Sequence, residues 1–180
     1  MQITFIRHLP TQWNKKTWLQ GRRDIPISNV TETDIKQIQM NKKHLEKLPP
    51  FEAVVASTLQ RTQQTARLYG YDPEIEPLLD ELDFGQFEGV PKEQMICAWK
   101  HEWFNDPSSL TLGEPVCQLE NRIRDFFQKY KSLSNLLVFG HGAWIRAALS
   151  LVENGNINQM NRRKLHNNEC LTIQAFPDQR

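Results

Sequence analysis

The sequence predicts an α/β protein, a three-layer sandwich with a mainly parallel central sheet. Three observations predict it: short apolar runs alternate with segments of helical spacing, three of those runs end in polar residues, and 180 residues are enough to bury one such sheet under helices. Hydrophobic residues at 39% and charged residues at 24% leave little room for long disorder, so a single domain over 1–180 is expected.

Ile3, Thr4, Phe5 and Ile6 form the first run, a buried strand that ends where Arg7 and His8 begin. Over 31–48, Ile35, Ile38, Leu45 and Leu48 recur near helical spacing, Thr31 with Asp34 resembles a capping box, and Pro49-Pro50 stops the run, which predicts an amphipathic helix. A second strand is predicted over 53–56, followed by a helix capped by Ser57 or Thr58, running through Tyr69 and terminated at Gly70. A polar, turn-rich stretch over 79–89 leads to a helix that carries Trp99, Trp103 and Phe104 and ends near Asn105-Asp106-Pro107. Residues 116–130 read as another helix. Residues 136–139 repeat the opening pattern, an apolar strand leading through Gly140-His141-Gly142 to a helix around 145–152, and 171–176 supply a last strand.

In open, mainly parallel sheets ligands bind outside the carboxyl ends of the strands. Arg7 with His8, Ser57 with Arg61, and His141 are delivered to that edge. Two arginines and two histidines in one crevice suit a phosphoryl group, because guanidinium forks bind phosphate oxygens through paired hydrogen bonds. Spacing alone does not bring them together, and an isolated histidine is more often structural than catalytic.

A formal net charge of +1 provides no global attraction to nucleic acid or to an anionic membrane. No apolar run approaches the roughly 18 residues of a membrane span, and Arg7 comes too early for a signal-peptide apolar region, so a cytoplasmic protein is expected, without nucleic-acid or membrane partners. Cys97, Cys117 and Cys170 form no C-x-x-C pair and read as reduced and structural. Oligomeric state is not legible.

The run Phe5-Ile6-Arg7-His8-Leu9-Pro10-Thr11-Gln12-Trp13-Asn14 resembles the R-H-G-x-T-x-W-N signature of the histidine phosphatase, or phosphoglycerate mutase-like, superfamily. Further blocks agree in order: Gln20-Gly21-Arg22-Arg23-Asp24, then Ser57-x-Leu59-x-Arg61-Thr62, then Leu79-Asp80-Glu81-Leu82-Asp83-Phe84-Gly85 with Glu88-Gly89, then Gly140-His141-Gly142. The similarity spans nearly the whole chain. It implies that His8 is the nucleophile and forms a phosphohistidine, and that Arg7, Arg61 and His141 surround the phosphoryl oxygens. It further implies that Glu81 is the acid/base carboxylate, with Asp80, Asp83 and Glu88 as rivals in the same loop, and that Asn14, Gln20 and Gly21 contact substrate. No metal and no cofactor are expected. Ser57 is read as the cap of its helix.

The implied activity is that of a phosphomonoester phosphatase acting on a small phosphorylated molecule. A phosphoglycerate-type phosphomutase and a noncatalytic phospho-ligand binding protein are the alternatives. The segment around 90–115 reads as a helical cap insertion, short beside those of the glycolytic mutases, which favours hydrolysis because a mutase must keep water from its phosphohistidine. Trp99, Trp103 and Phe104 are candidates for either core or pocket wall. Lys92, Lys100, His101, Arg22 and Arg23 are either readers of a second anionic group or solvated surface. The superfamily usually has glycine directly after the nucleophilic histidine, where this chain has Leu9. Pro10 favours extended backbone at the residue before it, so the backbone is expected to be preserved and the pocket mouth altered.

Overall fold

A computed structural model describes residues 1–175 of the chain; Phe176, assigned above to the last strand, lies outside the described residues. The order of the main elements is β1 (Gln2–Arg7), α1 (Gln12–Lys15), α2 (Glu32–Leu45), β2 (Ala53–Ala56), α3 (Gln60–Leu68), β3 (Glu74–Ile75), α4 (Lys92–Asn105), α5 (Val116–Tyr130), β4 (Asn135–Gly140), α6 (Gly142–Asn154) and β5 (Cys170–Gln174). The five strands lie in the order β3-β2-β4-β1-β5. All neighbours are parallel except β5, which runs antiparallel to β1 at the edge.

Because successive strand residues point to opposite faces, the apolar runs feed two cores. Ile3 and Phe5 of β1, Val55 of β2 and Leu136 and Val138 of β4 pack with α5 and α6 on one face. Ile6, Ala56, Leu137 and Phe139 pack with Ile38 and Leu45 of α2 and with Ala66 and Tyr69 on the other. Burial on both faces explains why these strands read as near-continuous apolar runs.

The Thr31 capping box is present, with Thr31 Oγ1 accepting from Asp34 N–H and Asp34 Oδ2 accepting from Thr31 N–H. The helix it opens stops at Leu45, three residues before the expected end, because Lys47 and Leu48 donate to His44 and Leu45 in tighter turns. Ile35, placed above on the apolar stripe, is 47% exposed. The expected side-chain cap of α3 is also absent: its N-cap is Leu59, and Thr58 turns instead to Asp80, whose Oδ1 accepts from both the amide and the hydroxyl of Thr58.

Leu9 departs from the expectation of an altered pocket mouth. Its side chain is 1% exposed and packs in the core beneath α2 and α3, while its amide donates to Thr65 Oγ1 at 2.9 Å. Its φ is not positive, so nothing in the backbone requires glycine there. Leu9→Ala is therefore expected to lower stability by about 2–5 kcal/mol in denaturant titration, the range for truncating a buried leucine. A loss below about 0.5 kcal/mol, typical of a surface change, would contradict this packing.

Candidate active site

β2, β4 and β1 are neighbours and parallel, so their carboxyl ends meet at one edge, with Ala56 opposite Phe139 and Arg7 opposite Gly140. Residues that follow these ends, His8, Ser57 and His141, are thereby brought together with Arg61 from the first turn of α3. A cavity of about 280 Å³ opens there, and seven of the eight residues singled out from the sequence line it: Arg7, His8, Asn14, Gln20, Gly21, Arg61 and Glu81. His141 is the exception. It is fully buried behind that wall, with its ring edge-on to His8 at a centroid distance of 5.4 Å.

The His8 ring is fixed by its own chain. Nδ1 lies 2.7 Å from the Leu9 carbonyl oxygen, which can only accept, so the proton is on Nδ1 and Nε2 keeps its lone pair. Burial pushes the imidazole well below its usual 6.5, and the charges of Arg61 and Arg7 push the same way. His8 is therefore neutral at pH 7, the form a nucleophile needs.

His141 has both nitrogens engaged. Arg61 Nε donates to Nδ1 at 3.2 Å, which leaves the ring proton on Nε2, donating to Ser57 Oγ at 2.7 Å. The serine hydroxyl donates onward to Thr62 Oγ1, which donates to the Leu59 carbonyl. This relay fixes the tautomer of His141 and, through it, the plane of the Arg61 guanidinium. Ser57, read above as a cap, thus holds His141, which stands behind Arg61 instead of at the pocket wall. Ser57→Ala is expected to lower kcat about 10- to 100-fold by letting the guanidinium drift. Thermal unfolding should also show a loss of roughly 1–3 kcal/mol from the unpaired His141 N–H. Unchanged kcat in the folded variant would remove Ser57 from the site.

Histidines kept neutral by burial link stability to pH. His141, like His8, is held well below 6.5, by burial first and then by the charge of Arg61. The unfolded chain protonates both as pH falls through about 6.5 while the folded chain does not, so stability is full above that value and declines below it, by about 1.4 kcal/mol per pH unit per histidine. Urea unfolding at pH 7.5, 6.5 and 5.5 measures this, and a flat profile contradicts it.

Arg61 is 1% exposed, and its remaining protein bonds run to the carbonyls of Arg23 and Gly21, both at 2.7 Å. Three of its five N–H groups are used and two are left for a ligand. Arg7 donates from one terminal nitrogen to the Leu165 carbonyl, while its buried Nε has no partner. Burial lowers both arginines to about 10, with Arg146 adding to the effect on Arg7 and nearby carboxylates opposing it on Arg61, so both stay charged at pH 7. Asn14 Oδ1 accepts from the Thr11 amide and from Asn167 Nδ2, leaving its own amide N–H groups available. Gln20 is held by the Thr11 hydroxyl at 2.8 Å. Gly21 has φ +51, and a Cβ there would stand 1.9 Å from Glu88 Oε1, so glycine alone lets this loop close over Arg61.

Glu81 sits against the amino end of α6. Its Oε1 accepts from the Leu82 and Trp144 amides at 3.0 and 2.9 Å, and Oε2 accepts from the Ala143 amide at 3.0 Å. With two bonds on Oε1, the free lone pair is on Oε2. The three rival carboxylates are committed elsewhere. Asp80 holds Thr58, Asp83 accepts from the Gly85 amide, and Glu88 holds the Arg22 and Phe84 amides and pairs with Arg23.

Sequence reading did not single out Thr17, Trp18, Asn167 or Arg146, all of which line the cavity. Asn167 donates to the His8 carbonyl at 2.9 Å, across 159 positions of chain, which no local pattern signals. Of the cations named as possible anion readers, Lys92 lines the cavity, whereas Arg22 and Arg23 pair with Glu114 and Glu88. Trp103 is both core and pocket wall; Trp99 lies at a kink of α4 and is 38% exposed. Among the described residues no group of three His, Cys, Asp or Glu side chains is placed to hold a metal, and no helix is long and apolar enough to cross a membrane.

Comparison with known proteins bears on the fold and the family. Residues 3–180 match the family model described as Histidine phosphatase superfamily (branch 1). The chain is 26% identical over 182 residues to the uncharacterized phosphatase PhoE of Bacillus subtilis (strain 168), covering 99% of this chain and 90% of that protein. It is 36% identical over 164 residues to the probable phosphoglycerate mutase GpmB of Enterobacter sp. (strain 638), covering 84% and 74%. The crystal structure of the alpha-ribazole phosphatase from Shigella flexneri superposes with a TM-score of 0.76 over 97% of this chain and 90% of that one, a likeness of fold at 23% identity.

Proposed function

The chain belongs to the histidine phosphatase superfamily (branch 1), and from that premise we propose that it is a metal-independent phosphomonoester phosphatase that turns over through a phosphohistidine at His8. The observation that carries the reading is the His8 ring: a neutral imidazole with Nδ1–H held by the Leu9 carbonyl and Nε2 unencumbered, in a cavity walled by the guanidinium groups of Arg7, Arg61 and Arg146 and the carboxylate of Glu81.

In the first half-reaction the Nε2 lone pair attacks phosphorus, the bond to the leaving oxygen breaks, and the proton on Glu81 Oε2 passes to that oxygen. Arg7 Nε and the two uncommitted N–H groups of Arg61 stabilise the charge on the equatorial oxygens, and Asn14 adds a hydrogen bond. The Leu9 carbonyl stabilises the cationic phosphoimidazole through Nδ1–H. In the second half-reaction water gives its proton to Glu81 as it attacks phosphorus, the N–P bond breaks, and phosphate leaves. The guanidinium groups supply the electrostatics for which other phosphatases use metal ions.

Hydrolysis is favoured over phosphoryl return because the 90–115 segment lends only Lys92 and Trp103 to the cavity wall, a slight cover against water. The likeness to a protein named phosphoglycerate mutase supports the second reading, a phosphomutase. One experiment separates them: purified protein with chelator present is incubated with a panel of phosphomonoesters, including phosphoglycerates, while free phosphate, isomerised product and intact protein mass are followed. Free phosphate together with an acid-labile phosphoenzyme is the expected result. Isomerisation without release would establish the mutase, and neither product from any compound would leave a phospho-ligand binding protein.

A further inference from the structure

Beside the phosphoryl cavity lies a second one of about 400 Å³, and the two share Arg7, Lys92, Trp103 and Arg146 as common wall. We propose that this second cavity is an anion subsite, in which Arg146 and Lys92 hold a carboxylate or second phosphoryl group of the substrate while the first phosphoryl group lies at His8. The identity of the first group rests on the function proposed above; the charge of the second cavity does not.

The case begins with uncompensated charge. Arg146 projects from α6, a helix whose other faces are mostly buried, and its guanidinium makes one side-chain hydrogen bond, to Asn161 Oδ1 at 3.3 Å. A Cβ on Gly142 would stand 3.2 Å from both Arg146 and Arg7, so the two guanidinium groups converge on one point of the backbone. Among the described residues neither Arg7, Arg146 nor Lys92 forms an ion pair, whereas Arg163 on the far rim is paired with Glu153 and is spent. Like charges gathered in one wall without an ion-pair partner disfavour the unliganded fold, and a bound anion reverses the sign of that interaction.

Counting charges favours two anionic groups over one. A phosphoryl dianion at His8 is matched by Arg7 and Arg61. Arg146 and Lys92 remain on the common wall, with Lys164 on the wall of the second cavity alone, and they face a space large enough for another small oxyanion. Burial and the neighbouring Arg146 and Arg7 lower Lys92 to about 8, so it still carries most of its charge at pH 7. The bland alternative, that all four cations serve the one phosphoryl group, predicts a different response to mutation.

Non-hydrolysable probes separate the possibilities without requiring turnover. Calorimetric titration at fixed ionic strength compares methylphosphonate with phosphonoacetate, 3-phosphonopropionate and 4-phosphonobutyrate, and with alkane bisphosphonates of matching length. Wild type is expected to bind at least one two-headed probe about tenfold more tightly than methylphosphonate, the worth of one charge-assisted contact. In Arg146→Met, and separately in Lys92→Met near the surface at the start of α4, that preference should shrink to about twofold while methylphosphonate affinity changes little. The carboxylate and bisphosphonate arms tell which oxyanion is preferred. No preference in wild type at any length, a preference kept by both variants, or an equal loss for one-headed and two-headed probes would each overturn the subsite. Absence of phosphatase activity in wild type would instead remove the proposed function and leave this binding comparison standing.

Discussion

His8→Ala is expected to lower kcat by about 10⁴-fold or more, because His8 Nε2 is the group proposed to carry the phosphoryl group between the two half-reactions. Arg7 and Arg61 remain in place in the variant, so affinity for inorganic phosphate should change far less than kcat. The mass shift of a phosphoenzyme should vanish with the activity. Stability offers an internal control: losing a buried imidazole that is held neutral removes one of the two buried histidines that link unfolding to pH, so the decline in stability below pH 6.5 should be shallower than in wild type. A variant retaining more than about a tenth of wild-type kcat would mean that water attacks the substrate directly, and the phosphohistidine mechanism would be abandoned.

The second large effect is expected from Glu81→Gln, in both rate and stability. Turnover of substrates with poor leaving groups should fall about 10²- to 10⁴-fold, since the amide cannot supply a proton to the departing oxygen. Esters whose leaving group departs as a stable anion, such as p-nitrophenyl phosphate, should suffer much less in the first half-reaction, which distinguishes proton transfer from a mere change of pocket shape. The amide oxygen can replace Oε1 as acceptor for the Leu82 and Trp144 amides, but its NH₂ then faces the Ala143 N–H, donor against donor. That conflict should cost about 1–3 kcal/mol in unfolding free energy. Asp83→Asn lacks both consequences at the site, because Asp83 serves the turn at Gly85 and does not line the cavity. If Asp83→Asn reproduced the leaving-group dependence and Glu81→Gln did not, the acid/base role would move to Asp83.

Much of the architecture was legible in the sequence because its causes are local. Strand β1 and strand β4 announce themselves as apolar runs, and the Thr31-Asp34 box opens α2 through bonds between residues three apart. Where local signals erred, tertiary contacts had overridden them. The apolar stripe suggested that α2 continued to Leu48, but the chain tightens its turn after Leu45. Thr58 is a competent cap by type, yet it binds Asp80, which lies 22 positions away. Leu9 looked like a change at the pocket because glycine so often marks close approach, whereas its side chain turns into the core beneath the helices.

The sequence by itself determined the alternation of strands and helices, the family, and the residue types at the strand ends from which the site is assembled. Those follow from periodicity, capping and motif order, all written over a few residues at a time. Only the tertiary structure decided which carboxylate faces the cavity, which nitrogen of His8 is free, that Ser57 locks His141 behind Arg61, and that Arg146 joins Arg7 in a common wall. The reason is that hydrogen-bond partners and buried charges are set by residues far apart in the chain: Glu81 meets the Trp144 amide across 63 positions, and Ser57 meets His141 across 84. Such pairings exist only once the sheet brings its strand ends side by side and burial strips the water from between them.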